Sequence, residues 1–163
     1  MTTHPSGSLI EGSQAFRAAI TALLTSLPTH GSRQIWMLDY RFQGWPLNDP
    51  AVLDALGAWL RLGGRRVGMV GIDFDAVVRD FPRLVRWRQD HAHGFDAWQP
   101  AATERRELPG LLLTGHRAIE LLDREHWRAR MIEEPAELRL LDEHVVSKLH
   151  HCEPAWPVTT LGL

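Results

Sequence analysis

Apolar positions in the first half of the chain alternate between helical stripes and short continuous runs. Apolar residues three and four positions apart predict helices over residues 13–27, 49–62 and 80–91. Short apolar runs between them predict buried strands over residues 33–39, 66–72 and 95–99. Strands that alternate with helices of this length are joined by right-handed crossovers and pair in parallel. The pattern therefore predicts an α/β protein with a mixed, mainly parallel sheet flanked by helices.

The second half of the chain changes from strand–helix units to a hairpin pattern. An apolar run over 110–114, a turn at Gly115-His116 and a second run over 117–122 predict two antiparallel strands. Residues 128–132 are predicted to add a further short strand. These segments are expected to extend the same sheet.

A final amphipathic helix closes the predicted domain. Glu134-Pro135 begins it, and its inward apolar positions are spaced by three and four: Leu138, Leu141, Val145 and Leu149. We expect a flexible leader over residues 1–10, a single domain over 11–153 and a C-terminal tail over 154–163.

Composition narrows the class of protein and of partner. The 163 residues are 44% hydrophobic and 23% charged, which is typical of a globular protein. A net charge of -2 makes nucleic acid and anionic membranes unexpected partners. No apolar run reaches the roughly 18 residues of a membrane span. Cys152 is the only cysteine, so the expected location is the cytoplasm. All basic residues except Lys148 are arginine, a bias typical of a GC-rich bacterial genome.

Several segments together resemble one half of a phospholipase D superfamily enzyme, over about residues 13–150. Residues 33–39, the helix from Asp49 and the segment Gly63-Gly64-Arg65-Arg66-Val67-Gly68-Met69-Val70 are similar to that family's opening strand, helix and R-x-G-V-x-V second strand. Residues 110–122 are similar to its catalytic hairpin. The resemblance implies a phospholipase D-like single domain.

The chain departs from the family's catalytic signature, His-x-Lys-x4-Asp. Placed on the hairpin, that pattern puts Leu108 at the histidine, Gly110 at the lysine and Gly115 at the aspartate. Leucine cannot attack phosphorus and glycine cannot neutralise a phosphate. The resemblance therefore implies a catalytically silent member, a binding or interaction module for an anionic, phosphate-bearing small molecule. His116, at the predicted turn, is the one histidine of the hairpin and the residue that could restore catalysis in another register.

Acidic residues follow two of the predicted parallel strands. Asp39 ends one strand, and Asp73 and Asp75 follow the next. Ligands of open α/β sheets bind at the carboxyl ends of strands, so these side chains are candidate ligand contacts. The walls of such a crevice would be Tyr40, Arg41 and Trp45.

The same carboxylates allow a second hypothesis. Together they could hold a hard cation such as Mg²⁺ in a metal-assisted phosphoesterase. Against this, an acid after a strand commonly caps the next helix or turn. Histidines near Cys152 lack the paired spacing of a structural zinc site, so we predict no metal and no cofactor.

The tail carries apolar residues that need a partner surface. Trp156, Val158 and Leu161 must be buried on their own domain or on a second copy of the chain. Single-half members of the resembled family pair across a two-fold axis, and two-fold dimers are the commonest oligomers. A homodimer is the predicted assembly.

Overall fold

The computed structural model describes residues 7–30, 32–103 and 108–157, in which eight strands form one open mixed sheet. The strands are β1 Leu9–Glu11, β2 Gln34–Leu38, β3 Arg66–Val70, β4 Phe95–Pro100, β5 Gly110–Leu113, β6 Ala118–Asp123, β7 Arg128–Ile132 and β8 Cys152–Pro154. Their order across the sheet is β1-β7-β6-β5-β2-β3-β4-β8.

Five α-helices in the described residues flank this sheet. They are α1 Ser13–Thr25, α2 Pro50–Arg61, α3 Phe74–Asp80, α4 Pro82–Asp90 and α5 Pro135–Leu149. The predicted start of α2 is confirmed, because the Asp49 carboxylate accepts the Ala51 N–H at 2.9 Å and Pro50 is the first helical residue. Single 3-10 turns at Leu27–Thr29 and Ala92–Gly94 lead into β2 and β4.

The predicted parallel strands and the predicted hairpin are both confirmed. β2 pairs in parallel with β3, and β3 with β4. β5 and β6 form the antiparallel hairpin, with Leu113 opposite Ala118, and β5 joins the parallel strands by pairing antiparallel with β2. The sheet is mixed and flanked by helices, as expected, but its other pairings are also antiparallel, so parallel pairing is limited to its centre.

Both faces of the sheet are covered, which explains why β2, β3 and β5 are buried and carry no polar side chain beyond Gln34 and Arg66 at the start of β2 and β3. α1 to α4 pack on one face around Trp45, Trp59 and Met37. α5 packs on the other face through Leu138 and Val145. Both faces of the sheet are therefore covered by helices, and Asp39 and His116 lie at the two ends of its strands.

The leader and the tail both contribute strands, which corrects two predictions. Leu9 and Ile10 lie in β1, which pairs with β7, so the predicted flexible leader is part of the sheet from Leu9 onward. β8 reaches Pro154, the first residue of the predicted tail, and pairs with β4. Strands of three residues have too short an alternation for sequence patterns to detect.

Trp156 is packed on its own domain. Its ring stacks on Phe74 at 5.8 Å between centroids and meets Phe95 edge-on at 5.9 Å. The Arg88 guanidinium lies 4.1 Å above the Trp156 ring. Val158 and Leu161 lie outside the described residues. Trp156 thus needs no second copy of the chain for its burial.

The predicted helix over 80–91 is confirmed as α4, and a further helix, α3, was not predicted. α4 occupies most of that range, and α3 precedes it with Asp73 as its N-terminal cap. Pro82 has no N–H to continue a helix, so the chain turns at Phe81 and starts again.

Candidate functional site

Asp39 lies at the carboxyl end of β2, where the sequence predicts a ligand contact, but its carboxylate is engaged within the protein. The residue is fully buried. Its Oδ2 accepts a hydrogen bond from Trp45 Nε1 at 2.8 Å, and its Oδ1 lies 2.8 Å from Arg124 Nη1. Asp39 therefore links β2 to the loop that follows it and to the β6–β7 turn, and the contact of its Oδ1 with Arg124 is an ion pair without hydrogen-bond geometry.

The other two predicted acids have separate positions. Asp73 caps α3, its Oδ1 accepting the Ala76 N–H at 3.0 Å, and Asp75 is exposed in the first turn of that helix. No three histidine, cysteine, aspartate or glutamate side chains in the described residues, which include all three aspartates, are grouped so that they could hold a metal ion. The predicted carboxylate cluster is therefore not assembled.

The predicted walls of that crevice also have other roles. Trp45 is in the core, where its ring meets Phe42 edge-on at 5.0 Å. Arg41 Nη2 donates to Gln43 Oε1 at 2.7 Å, and Tyr40 is half exposed. A cavity of about 310 Å³ lies at this end of the sheet, and Asp73, Asp75 and Trp156 are among the residues that line it.

A larger cleft lies at the opposite end of the same strands. The strand registers bring together the start of β2, the β5–β6 turn and the residue after β7, and the first half of α5 covers them. The cleft has a volume of about 610 Å³. It is lined by Arg33, Gln34, Leu113, Thr114, Gly115, His116, Glu133, Pro135, Leu138, Arg139 and Asp142.

His116 is the predicted site residue that this cleft contains. Its Nδ1 lies 3.3 Å from Ser32 Oγ and 3.4 Å from Thr114 Oγ1. Its Nε2 is buried and has no hydrogen-bond partner among the described residues. The His30 ring stacks on the His116 ring with centroids 4.0 Å apart. A buried ring nitrogen without a partner is costly unless something binds it.

The charges around His116 keep its imidazole neutral. Burial disfavours the charged ring and lowers the pKa of His116 below its usual value, and the neighbouring His30 and Arg117 lower it further. Glu133 opposes them, but it also lies 3.3 Å from Arg117 as an exposed ion pair. At neutral pH the ring therefore presents an uncharged nitrogen.

Two arginines complete the cleft. Arg33 immediately precedes β2, and Arg139 lies one turn into α5; within the described residues neither guanidinium has an ion-pair or hydrogen-bond partner. Asp142 lies on the same wall as Arg139. Sequence patterns did not single out Arg33, Arg139, His30 or Ser32, because each is unremarkable by itself in an arginine-rich chain and only the fold brings them together.

The structure gives a reason to align the catalytic signature with this chain in a second register, which starts at His116. Gly110, predicted at the lysine place, lies at the Asp39 end, because Leu111 pairs with Leu38. Counted from His116 instead, the spacing His-x-Lys-x4-Asp gives Ala118 at the lysine place and Asp123 at the aspartate place. Asp123 Oδ2 lies 2.9 Å from His126 Nδ1 in the β6–β7 turn, at the other end of β6 from His116.

Comparison with solved structures identifies the fold. Nuc from Salmonella typhimurium, a phospholipase D family member, matches with a TM-score of 0.59 and 14% identity over 94% of this chain and 100% of Nuc. NucT from Helicobacter pylori matches with a TM-score of 0.59 and 9% identity over 92% of this chain and 99% of NucT. TrmBL2, an archaeal chromatin protein with a novel mode of DNA binding, matches with a TM-score of 0.65 and 9% identity over 95% of this chain.

These similarities concern the fold and not the sequence. This chain spans 56% of the length of TrmBL2. No family model matches the sequence, and comparison with curated proteins gives no significant match. None of the helices in the described part of the chain is long and apolar enough to cross a membrane. The fold is phospholipase D-like, and one such fold carries different functions in different proteins.

Proposed function

We propose that this chain is a phospholipase D-like binding module that takes a small phosphate-bearing anion in the His116 cleft and does not hydrolyse it. The observation that carries the proposal is the pair Arg33 and Arg139, which line one ligand-sized cleft and have no hydrogen-bond or ion-pair partner within the described residues. Guanidinium groups bind phosphate through two parallel N–H donors. The pair therefore suits a ligand with several anionic oxygens.

The rest of the cleft suits the organic part of such a ligand. Leu113, Pro135 and Leu138 give it an apolar wall, and Gln34 and Thr114 add polar groups. A cleft of about 610 Å³ is within the usual range for small-molecule sites, which are mostly apolar with a few polar contacts. A phosphate ester with a ring or short chain would use both kinds of contact.

Hydrolysis lacks a necessary group. Phosphoryl transfer depends on fixed cations that neutralise charge developing on the phosphoryl oxygens. Ala118 replaces the lysine of the signature counted from His116, and Lys148 lies at the C-terminal end of α5. Without that lysine, which the signature fixes two residues from the histidine, His116 and the two cleft arginines are expected to bind phosphate rather than transfer it.

A second candidate function is a histidine-dependent phosphodiesterase. One observation favours it: the pKa of His116 is lowered, so its ring is neutral at neutral pH and its Nε2 has no partner among the described residues. The metal-assisted alternative keeps less support, because Asp39 is engaged by Trp45 and Arg124.

Binding is tested with phenyl phosphate by calorimetry and by thermal shift. We expect the ligand to raise the melting temperature, since it binds only the folded protein. Arg33→Ala and Arg139→Ala should each weaken binding about tenfold, the loss of one exposed charge-assisted contact. Arg128→Ala, an exposed arginine on β7, is the matched control and should leave affinity unchanged. An undisturbed affinity in both cleft variants would contradict the proposal.

Hydrolysis is tested with an aryl phosphodiester, with and without a chelator. We expect no turnover. Chelator-resistant turnover that is lost in His116→Ala would establish the second candidate function. Turnover that the chelator abolishes, but that His116→Ala retains, would establish the metal-assisted alternative.

Location and assembly also belong to the proposal. We place the protein in the cytoplasm as a homodimer, and the exposed Leu140 and Val146 of α5 are apolar residues that a second copy could cover. Light scattering that shows a clean monomer at high concentration would contradict the dimer.

DNA, the ligand of TrmBL2, is disfavoured by the net charge of -2. Fluorescence anisotropy with labelled duplex DNA tests that point.

A further inference from the structure

The stacked pair His30 and His116 has a geometry that a structural role alone does not require. His30 follows the 3-10 turn after α1, and His116 lies in the β5–β6 turn, so two loops far apart in the chain place the rings face to face. Their centroids are 4.0 Å apart and their planes differ by 28°. Two imidazoles this close repel each other when both are charged. His30 therefore disfavours a proton on His116 and lowers the pKa of that ring.

The hydrogen bonds around His116 leave one ring nitrogen for a ligand. Ser32 Oγ accepts the Gly115 N–H at 3.1 Å, and Thr114 Oγ1 donates to the Arg117 carbonyl at 3.0 Å. Both hydroxyl oxygens can still accept a hydrogen bond from the Nδ1–H group of His116, at 3.3 and 3.4 Å. Nδ1 thus has partners in either protonation state. Nε2 has none among the described residues, and it is buried.

The charged groups that face His116 come from every neighbouring element. His30 and Arg117 disfavour a proton on the ring, and Glu133 favours one. Around them the cleft carries Arg33 at β2 and Arg139 and Asp142 on α5. An oxyanion held between the two arginines would add negative charge beside the ring and would accept a hydrogen bond from Nε2–H. A bound anion would then favour the charged form of the His116 ring over the neutral form.

We propose that anion binding in this cleft is coupled to the uptake of one proton by the His30–His116 stack, so that the cleft holds oxyanions more tightly at mildly acidic pH. This inference rests on the proposed function, because it concerns the same cleft. The proton comes from solvent and is retained on the His116 ring, with Nδ1–H directed to Ser32 and Thr114 and Nε2–H to the ligand. His30 is the positioning residue, since its ring covers His116 and sets how readily the ring is protonated.

The coupling predicts the form of the pH dependence. Affinity should rise as pH falls through the pKa of His116 in the complex and level off below its pKa in the free protein. Between the two values the slope should approach tenfold for each pH unit, the limit for one coupled proton. The free-protein pKa lies below the usual value near 6.5, so the change should fall in the mildly acidic range.

Calorimetry with sulfate tests the coupling directly. Sulfate stays fully ionised from about pH 5 to about pH 8, so any proton taken up belongs to the protein. Titrations in two buffers of different ionisation enthalpy count that proton. We expect an uptake approaching one proton in the mildly acidic range and close to none near pH 8.

Three variants assign the proton. His116→Gln should bind sulfate more weakly and without proton uptake, and His30→Gln should move the pH dependence to higher pH because it removes a repelling neighbour. His126→Gln changes an exposed histidine at the other end of β6 and should behave as the parent protein does. Circular dichroism confirms that each variant is folded.

The outcomes separate this inference from the function on which it rests. Sulfate binding with the same affinity at every pH, or proton uptake retained in His116→Gln, would overturn the coupling and leave the binding module standing. No sulfate binding at any pH would overturn both.

Discussion

The two ends of the sheet carry similar polar residues and use them in opposite ways. At one end, Trp45 and Arg124 each contact the carboxylate of Asp39, which is fully buried. At the other end, Arg33 and Arg139 have no partner within the described residues, and they line a cleft with an apolar wall. The difference is in the partners and not in the residue types. Polar groups that satisfy each other stabilise the fold, and those left unpartnered in a cleft are available to a ligand.

Strand β6 runs from the His116 end of the sheet to the Asp39 end, so the two ends can be compared along one strand. His116 precedes this strand, Asp123 is its last residue, and Arg124 follows it in the turn. A hydrogen bond from the His126 side chain lowers the pKa of Asp123, so this acid also serves the turn in which it lies. If the contrast is correct, substitutions at the Asp39 end change stability and substitutions at the His116 end change binding.

The largest effect is expected from Arg124→Ala. It leaves the buried Asp39 carboxylate without its cation, and removing one partner of a buried pair costs 3–5 kcal/mol. Arg124 itself is 43% exposed, so we expect the lower end, about 3 kcal/mol of the free energy of unfolding. Urea denaturation measures it, with Arg128→Ala as a control that should lose less than about 0.5 kcal/mol. Equal losses in the two variants would remove the basis of the comparison.

Trp45→Phe should have the next largest effect. It deletes the N–H that donates to Asp39 and leaves space beside Phe16 and Phe42, for a loss of about 2 kcal/mol. Because Trp45 and Arg124 share one carboxylate, the double variant should differ measurably from the sum of the two singles. Strict additivity in urea denaturation would show that the Asp39 cluster is not one unit.

A smaller effect is expected in the pH dependence of stability without ligand. The pKa of His116 is lowered in the folded protein, so the unfolded chain binds more protons below about pH 6.5. Stability should therefore fall as pH drops from about 6.5 through the folded pKa and should be insensitive to this group above that range. His116→Gln should flatten the slope of the urea midpoint against pH, whereas His126→Gln should not. If the slope persists in His116→Gln, the pH dependence of stability belongs to another titratable group.

The smallest change in stability is expected from the variant that should harm binding most. Arg33→Ala combined with Arg139→Ala removes no hydrogen bond or ion pair within the described residues, so the free energy of unfolding should change by less than about 0.5 kcal/mol. The same protein should lose the stabilisation by phenyl phosphate. A large loss of stability without ligand would mean that the two arginines are structural, and the two ends would no longer differ.

The order of elements was readable from the sequence to a large extent. Apolar spacing located α1, α2, α5 and the strands β2 to β7, because burial of one face or of a whole strand is decided within a few residues. The same reasoning located the cap of α2 at Asp49 and the turn at Gly115-His116. It missed α3, β1 and β8, which are too short for periodicity to register.

The candidate site was readable only in part. His116 could be identified, since it is the one histidine of the hairpin and lies at a turn. The Asp39 crevice was the stronger prediction by position, because ligands gather at the carboxyl ends of parallel strands. It was displaced by Arg124, which is 85 positions along the chain from Asp39 and reaches it only through the β6–β7 turn. No spacing in the sequence announces a partner at that distance.

The sequence by itself determined where chain segments are buried, and with that the α/β class and the paired central strands. Tertiary structure decided which polar groups are satisfied. Periodicity is local, because a helix or a strand exposes its faces at fixed intervals. The pairing of polar side chains is not local, because it depends on the order and register of the strands. These bring residue 39 to residue 124, and residue 33 to residues 116 and 139. The residues available to a ligand are those that this assembly leaves unpaired.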